Sequence, residues 1–212
     1  MNRIRQITLT KTRTFFQENW KVLLLFCLLL IGIFVGAGQV ASGSSKDQIR
    51  LLSESYSAAR EGKAFFSVFI SSLASALPFV FFVLISGFSL IGMPFILVVP
   101  MFYGLGYGVV SGYIYAENGL QGLIYNFLLI VPHTFLFLIA LLFMCRESMR
   151  LSGRLFTEVL LGRKNNPMGT ATGFHDDLKL YFMRYFVYLF LVISAAFLDA
   201  FCATVFSNFF IS

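Results

Sequence analysis

Two ionisable side chains sit deep inside apolar runs, and they are the first place to look for chemistry. His133 lies in LLIVPHTFLF, residues 128–137, and Asp199 lies in ISAAFLDAFCAT, residues 193–204. A bare carboxylate in hydrocarbon is costly, so Asp199 must face the interior of a bundle, be paired, or be protonated. At helical rise His133 lies about 15 Å, and Asp199 about 10 Å, from the outer ends of their runs. Similar depth allows a His133–Asp199 hydrogen bond. Such a pair can act as polar glue between helices, the reading favoured here, or as a short proton or ion relay.

Other reactive residues do not assemble into a site. His175 stands in FHDD, which reads as a solvated turn in a loop. The chain has no HExxH, GxSxG, P-loop or CxxC pattern. Cys27, Cys145 and Cys202 fall in or beside apolar runs and have neither metal-ligand nor disulfide-scaffold spacing. The reading is therefore of a protein that is not an enzyme, with no metal and no cofactor.

The elements that carry His133 and Asp199 are membrane spans. Of 212 residues, 58% are hydrophobic and only 12% charged, and the mean hydropathy is +0.82. That composition cannot cover a soluble core with charge. An apolar stretch of about 20 residues crosses the hydrocarbon. The sequence offers five, at about 22–40, 65–88, 93–115, 123–144 and 185–206. The expected fold is an all-α polytopic transmembrane bundle, residues 22–212, preceded by a cytoplasmic segment, 1–21. A tight turn from Gly87 to Pro94 separates the second and third spans, with Pro94 tolerated in the first turn of the third. Whether that turn dips into the membrane stays open.

Loop charges set the orientation. Twelve Lys and Arg residues fall in the N-terminal segment and the 145–184 loop, against four in the 41–64 loop. The excess belongs on the inside, which places the N-terminus in the cytoplasm and the C-terminus outside. The net charge of +6 thus follows topology. It implies anionic lipid as electrostatic partner rather than nucleic acid. A cleaved signal peptide is the alternative for the N-terminus, with Val35, Gly36 and Ala37 as its cleavage site. The long basic lead and Trp20 as interfacial anchor favour an uncleaved span.

Small residues recur at helical spacing. Gly104, Gly108 and Gly112 form GxxxGxxxG in the third span, and Gly32 and Gly36 form GxxxG in the first. They lie on one face and let another backbone approach closely, within the chain or in a homo-oligomer. A conduction path is the alternative, and it lacks the convergent polar groups that a filter needs. After the fourth span, Arg146, Arg150 and Arg154 recur every four residues. Like charges at that spacing repel unless anionic headgroups meet them. The segment reads either as an in-plane cytoplasmic helix with lipid-facing arginines or as an extension of the fourth helix.

Taken together, these pieces resemble the stage II sporulation protein M family of bacterial membrane proteins. The resemblance rests on SGFSLIGMPFILVVP with GLGYGVVSG, on LLIVPHTFLF, and on ISAAFLDAFCAT. It implies a Glu at the position of Asp199, so this chain keeps the charge on a side chain one methylene shorter. It also implies a non-enzymatic membrane anchor that localises peptidoglycan hydrolases, an amidase and a lytic transglycosylase, during engulfment in sporulation. The expected location is the bacterial cytoplasmic membrane. The alternative is a transporter or permease subunit working through Asp199 and His133.

Overall fold

The computed structural model describes residues 2–43, 51, 55, 58, 60, 63–160 and 171–210. Five α-helices account for nearly all of them. They are α1 (Asn2–Ala41), α2 (Phe65–Gly87), α3 (Gly92–Tyr125), α4 (Val131–Leu160) and α5 (Ala171–Phe210), with a π-helical turn, Asn126–Ile130, leading into α4. Four stretches are long and apolar enough to cross a membrane: Trp20–Ala41, Phe65–Gly87, Gly92–Thr157 and Leu178–Val205.

The third stretch is 66 residues long because the helix doubles back rather than breaking off. Gly119 adopts φ 55°, a left-handed conformation that only glycine takes without strain. The Ser111 hydroxyl then reaches Asn126 at 3.5 Å. In a straight helix those residues would lie about 22 Å apart. The Tyr103 and Phe137 rings likewise meet at 4.8 Å. The gap left between the third and fourth expected spans is thus a helical hairpin. The turn between α2 and α3 falls at residues 88–91, and α3 starts at Gly92 with Pro94 in its first turn.

Prolines shape the interior. Pro132 lacks an N–H and its ring crowds the carbonyl one turn back, a strain that α2 and α3 take up at Pro78 and Pro100 within the helix. At Pro132 the wider π-helical turn immediately before α4 is where this strain is accommodated.

The packing is that of a membrane protein, with small residues inside and large apolar ones outside. On α5, Ala195, Ala196, Ala200 and Ala203 are buried, whereas Phe186, Phe190, Phe197 and Phe201 are more than half exposed. In water such a surface would be an aggregation site, and in lipid it is solvated. The main core joins Val80 and Val83 of α2, Ile96 and Val99 of α3, Ala140, Leu141 and Met144 of α4, and Val192 of α5.

The glycine faces meet each other. α1 packs chiefly on α3. A methyl group added at Gly32 or Gly36 would run into the carbonyls of Met101 or Leu105, and one at Gly104 or Gly108 into those of Leu29 or Ile33. Gly112 lies less tightly, its added methyl 3.3 Å from the Cα of Ala37. The two helices are therefore in backbone contact along the whole stripe.

One open alternative is decided and one expectation changes. The segment after residue 145 is no separate in-plane helix: α4 runs unbroken to Leu160. The stretch has no proline, and Gly153 is tolerated inside it, with Met93 closing over its Cα. FHDD is not a turn either, since His175 falls within α5. Its side chain lies outside the described residues, as do residues 161–170 and most of 44–62.

Candidate functional site: a buried ionic cluster beside a cavity

Asp199 is 1% exposed. Small neighbours on α5 place it: Ala195, Ala196 and Ala200 are buried with it and let the helix approach the elements around it. Arg60 holds it from the segment between α1 and α2. Its Nε donates to both carboxylate oxygens at 3.2 and 3.1 Å, and its Nη2 donates to Oδ2 at 2.8 Å. Arg60 is itself 7% exposed. This is a buried, side-on charge pair, the geometry in which guanidinium and carboxylate recover most of their desolvation cost.

His133 completes the cluster from α4. Its Nδ1 lies 3.1 Å from Asp199 Oδ1 and 2.9 Å from the Leu129 carbonyl. Both partners accept, so Nδ1 carries the proton, as judged from its neighbours. Its Nε2 lies 3.3 Å from Thr134 Oγ1, which can donate to it. The neutral imidazole thus satisfies these three partners. Among the described residues, no side-chain nitrogen or oxygen that is fully sealed from solvent and cavities lacks a hydrogen bond.

The order carboxylate, imidazole, hydroxyl is also that of a hydrolytic triad. Three features argue against that chemistry. The Thr134–His133 contact is long, the carboxylate is already clamped by Arg60, and Thr134 lies inside a continuous helix whose N–H groups are spent on their own carbonyls.

A cavity of about 380 Å³ opens beside the cluster, lined by α2, α3, α4 and α5 together with Ser55 and Arg60 of the segment before α2. Its lining includes Arg60, His133 and Thr134, the serines Ser71, Ser72 and Ser75, and the rings of Phe79, Tyr103 and Phe137. Asp199 does not line it.

At the opposite end of the bundle a second polar set ties the helices together. Ser148 and Tyr181 share a hydrogen bond at 2.9 Å, and Ser152 donates to the Ser89 carbonyl at 2.8 Å. The Tyr185 hydroxyl donates to the Val80 carbonyl. Arg184 bonds both oxygens of Glu147 at 2.9 and 3.0 Å, and Arg150 lies 3.8 Å from the same carboxylate. Of the arginine stripe, Arg146 is half-buried while Arg150 and Arg154 are exposed. Glu147, which the sequence reading passed over, meets part of the charge that headgroups were expected to meet.

Sequence reasoning picked out His133 and Asp199, and the structure brings them together. It missed Arg60, counted there only as one cation of a loop. The signal was available: a buried carboxylate needs a counter-ion, and the expected topology puts the 41–64 loop on the side toward which the Asp199 span ends.

Long apolar helices with a lipid-type surface and a self-satisfied ionic cluster define a polytopic helical membrane protein. Within that class, the chain belongs to the stage II sporulation protein M family, whose model matches residues 13–204. No curated protein and no solved structure matches it.

Proposed function

We propose that this protein is a non-enzymatic scaffold of the bacterial cytoplasmic membrane. It crosses the bilayer five times with its N-terminus inside. It anchors and localises peptidoglycan hydrolases of the amidase and lytic transglycosylase types during engulfment in sporulation. The observation that carries this reading is the family match over residues 13–204. The closed, mutually satisfied cluster at Asp199 supports it, because a group already clamped by two partners is suited to holding helices together.

The test is affinity purification of the gently solubilised protein from sporulating cells, followed by mass spectrometry. Enrichment of peptidoglycan hydrolases over an unrelated five-span control is the expected result. Recovery of a nucleotide-binding ATPase instead would favour the transporter reading. That reading requires water to reach Asp199, and the cavity stops at Arg60 and His133.

A further inference from the structure

The cavity has a use that scaffolding does not require. We propose that it is a lateral binding site for the uncharged polar end of a membrane lipid of the acylglycerol class, entering from the bilayer between α2 and α3.

The size sets the first limit. At about 380 Å³ the space lies at the lower end of small-molecule pockets, which run from about 300 to 1,000 Å³. It takes a glycerol-sized polar end with its first carbons and leaves acyl chains outside. The space exists because its inner wall carries Ala76, Ala195 and Ala196 where larger residues would fill it.

The wall sets the chemistry. Among the described residues, the hydroxyls of Ser71, Ser72 and Tyr107 make no hydrogen bond to protein, although all three line the cavity. Hydroxyls in an apolar wall call for partners. Ester carbonyls and a free hydroxyl would supply them. Among the described residues the charges at the wall also cancel. Asp199 cancels Arg60 at 2.8 Å, and His133 is satisfied as the neutral imidazole. A phosphate would have to compete with Asp199 for its guanidinium, whereas an uncharged oxygen acceptor disturbs nothing.

The mouth sets the route. Ser75, Phe102 and Gly106 line the cavity and are exposed, and they stand near the middle of the apolar stretches of α2 and α3. An opening at that depth meets acyl chains rather than water. A methyl group added at Gly106 would meet nothing within 4 Å, so the glycine keeps the mouth clear without serving a packing contact.

Native mass spectrometry of the delipidated protein in non-ionic detergent tests this. The probes are dioleoylglycerol and dioleoyl phosphatidic acid, which share their chains and differ by the phosphate. The expected result is one dioleoylglycerol retained per chain, preferred by about tenfold over phosphatidic acid, the factor of one good hydrogen-bond set. Gly106→Trp should plug the mouth and abolish retention while the thermal unfolding midpoint stays unchanged. Ser72→Ala, which removes one hydroxyl and fills nothing, should weaken retention several-fold and keeps the test open if the tryptophan variant does not fold. No retention, equal retention of the two lipids, preference for phosphatidic acid, or undiminished retention by both variants would overturn the proposal. None of these outcomes bears on the hydrolase capture experiment, so the two readings fail separately.

Discussion

Arg60 and Asp199 stand 139 positions apart in sequence and are joined by three hydrogen bonds of 2.8–3.2 Å, the shortest from Nη2 to Oδ2. The segment between α1 and α2 is thereby fastened to the last helix of the bundle.

Breaking that pair from one side leaves a charge buried without its partner. Arg60→Ala and Asp199→Ala should each destabilise by about 3–5 kcal/mol. For a chain of this size that is a fall in unfolding midpoint of about 2–4 °C per kcal/mol. The double change Arg60→Met with Asp199→Leu should recover most of the loss, since no charge is then stranded. Thermal unfolding in detergent reads all three, and additive losses in the double variant would contradict the pairing.

His133 should matter less than Arg60. His133→Ala leaves Asp199 clamped by the guanidinium and takes from the carboxylate one hydrogen bond, besides the contacts of the ring to Leu129 and Thr134, at about 1–3 kcal/mol. The ranking is the prediction. If His133→Ala proves as damaging as Arg60→Ala, the imidazole carries more than a supporting bond.

Glycines with the same spacing should differ sharply in tolerance. Gly36→Ala and Gly108→Ala drive a methyl into a carbonyl of the facing helix and should cost about 1–3 kcal/mol or separate α1 from α3. Gly38→Ala and Gly106→Ala meet nothing within 4 Å and should be neutral or stabilising by about 0.5–1 kcal/mol through helix propensity. Four unfolding curves decide it.

Tyr185→Phe removes the hydroxyl that donates to the Val80 carbonyl and should cost about 1 kcal/mol. Hydrogen exchange should quicken in residues 80–92, where α2 ends and α3 begins. Tyr188→Phe is the matched control, its ring stacked on Phe143.

The orientation is checked by labelling. In a chain with Cys27, Cys145 and Cys202 replaced by serine, Lys63→Cys should react with a membrane-impermeant maleimide on intact cells. Lys179→Cys should react only after the membrane is opened. The reverse pattern would invert the topology argued from the lysine and arginine counts.

Much of this architecture is local and hence readable from sequence. Long apolar runs announce helices, Gly87 to Pro94 marks a chain reversal, and four-residue glycine spacing marks close-packed faces. The similar depth of His133 and Asp199 suggested their meeting. What escaped depends on distant parts of the chain. Nothing near Arg60 distinguishes it from Lys46, Arg50 or Lys63, because its partner is supplied by α5. The cavity is a gap between four helices and has no sequence of its own. The end of α4 was ambiguous because the charges of RESMRLSGR suit a surface helix and a helix extension equally, and only the missing break decides between them.

The clamp between residues 60 and 199 also has an order in time. A ribosome adding about 5–20 residues per second needs roughly 7–28 s to travel from one to the other. Throughout that interval the guanidinium has no carboxylate to meet, and the space it will occupy is not yet closed. The cluster can form only when the final helix has been synthesised and inserted. A chain that stalls or is cut before residue 199 keeps an uncompensated cation at the rim of an open bundle. The ion pair therefore exists only in molecules whose last helix is in place.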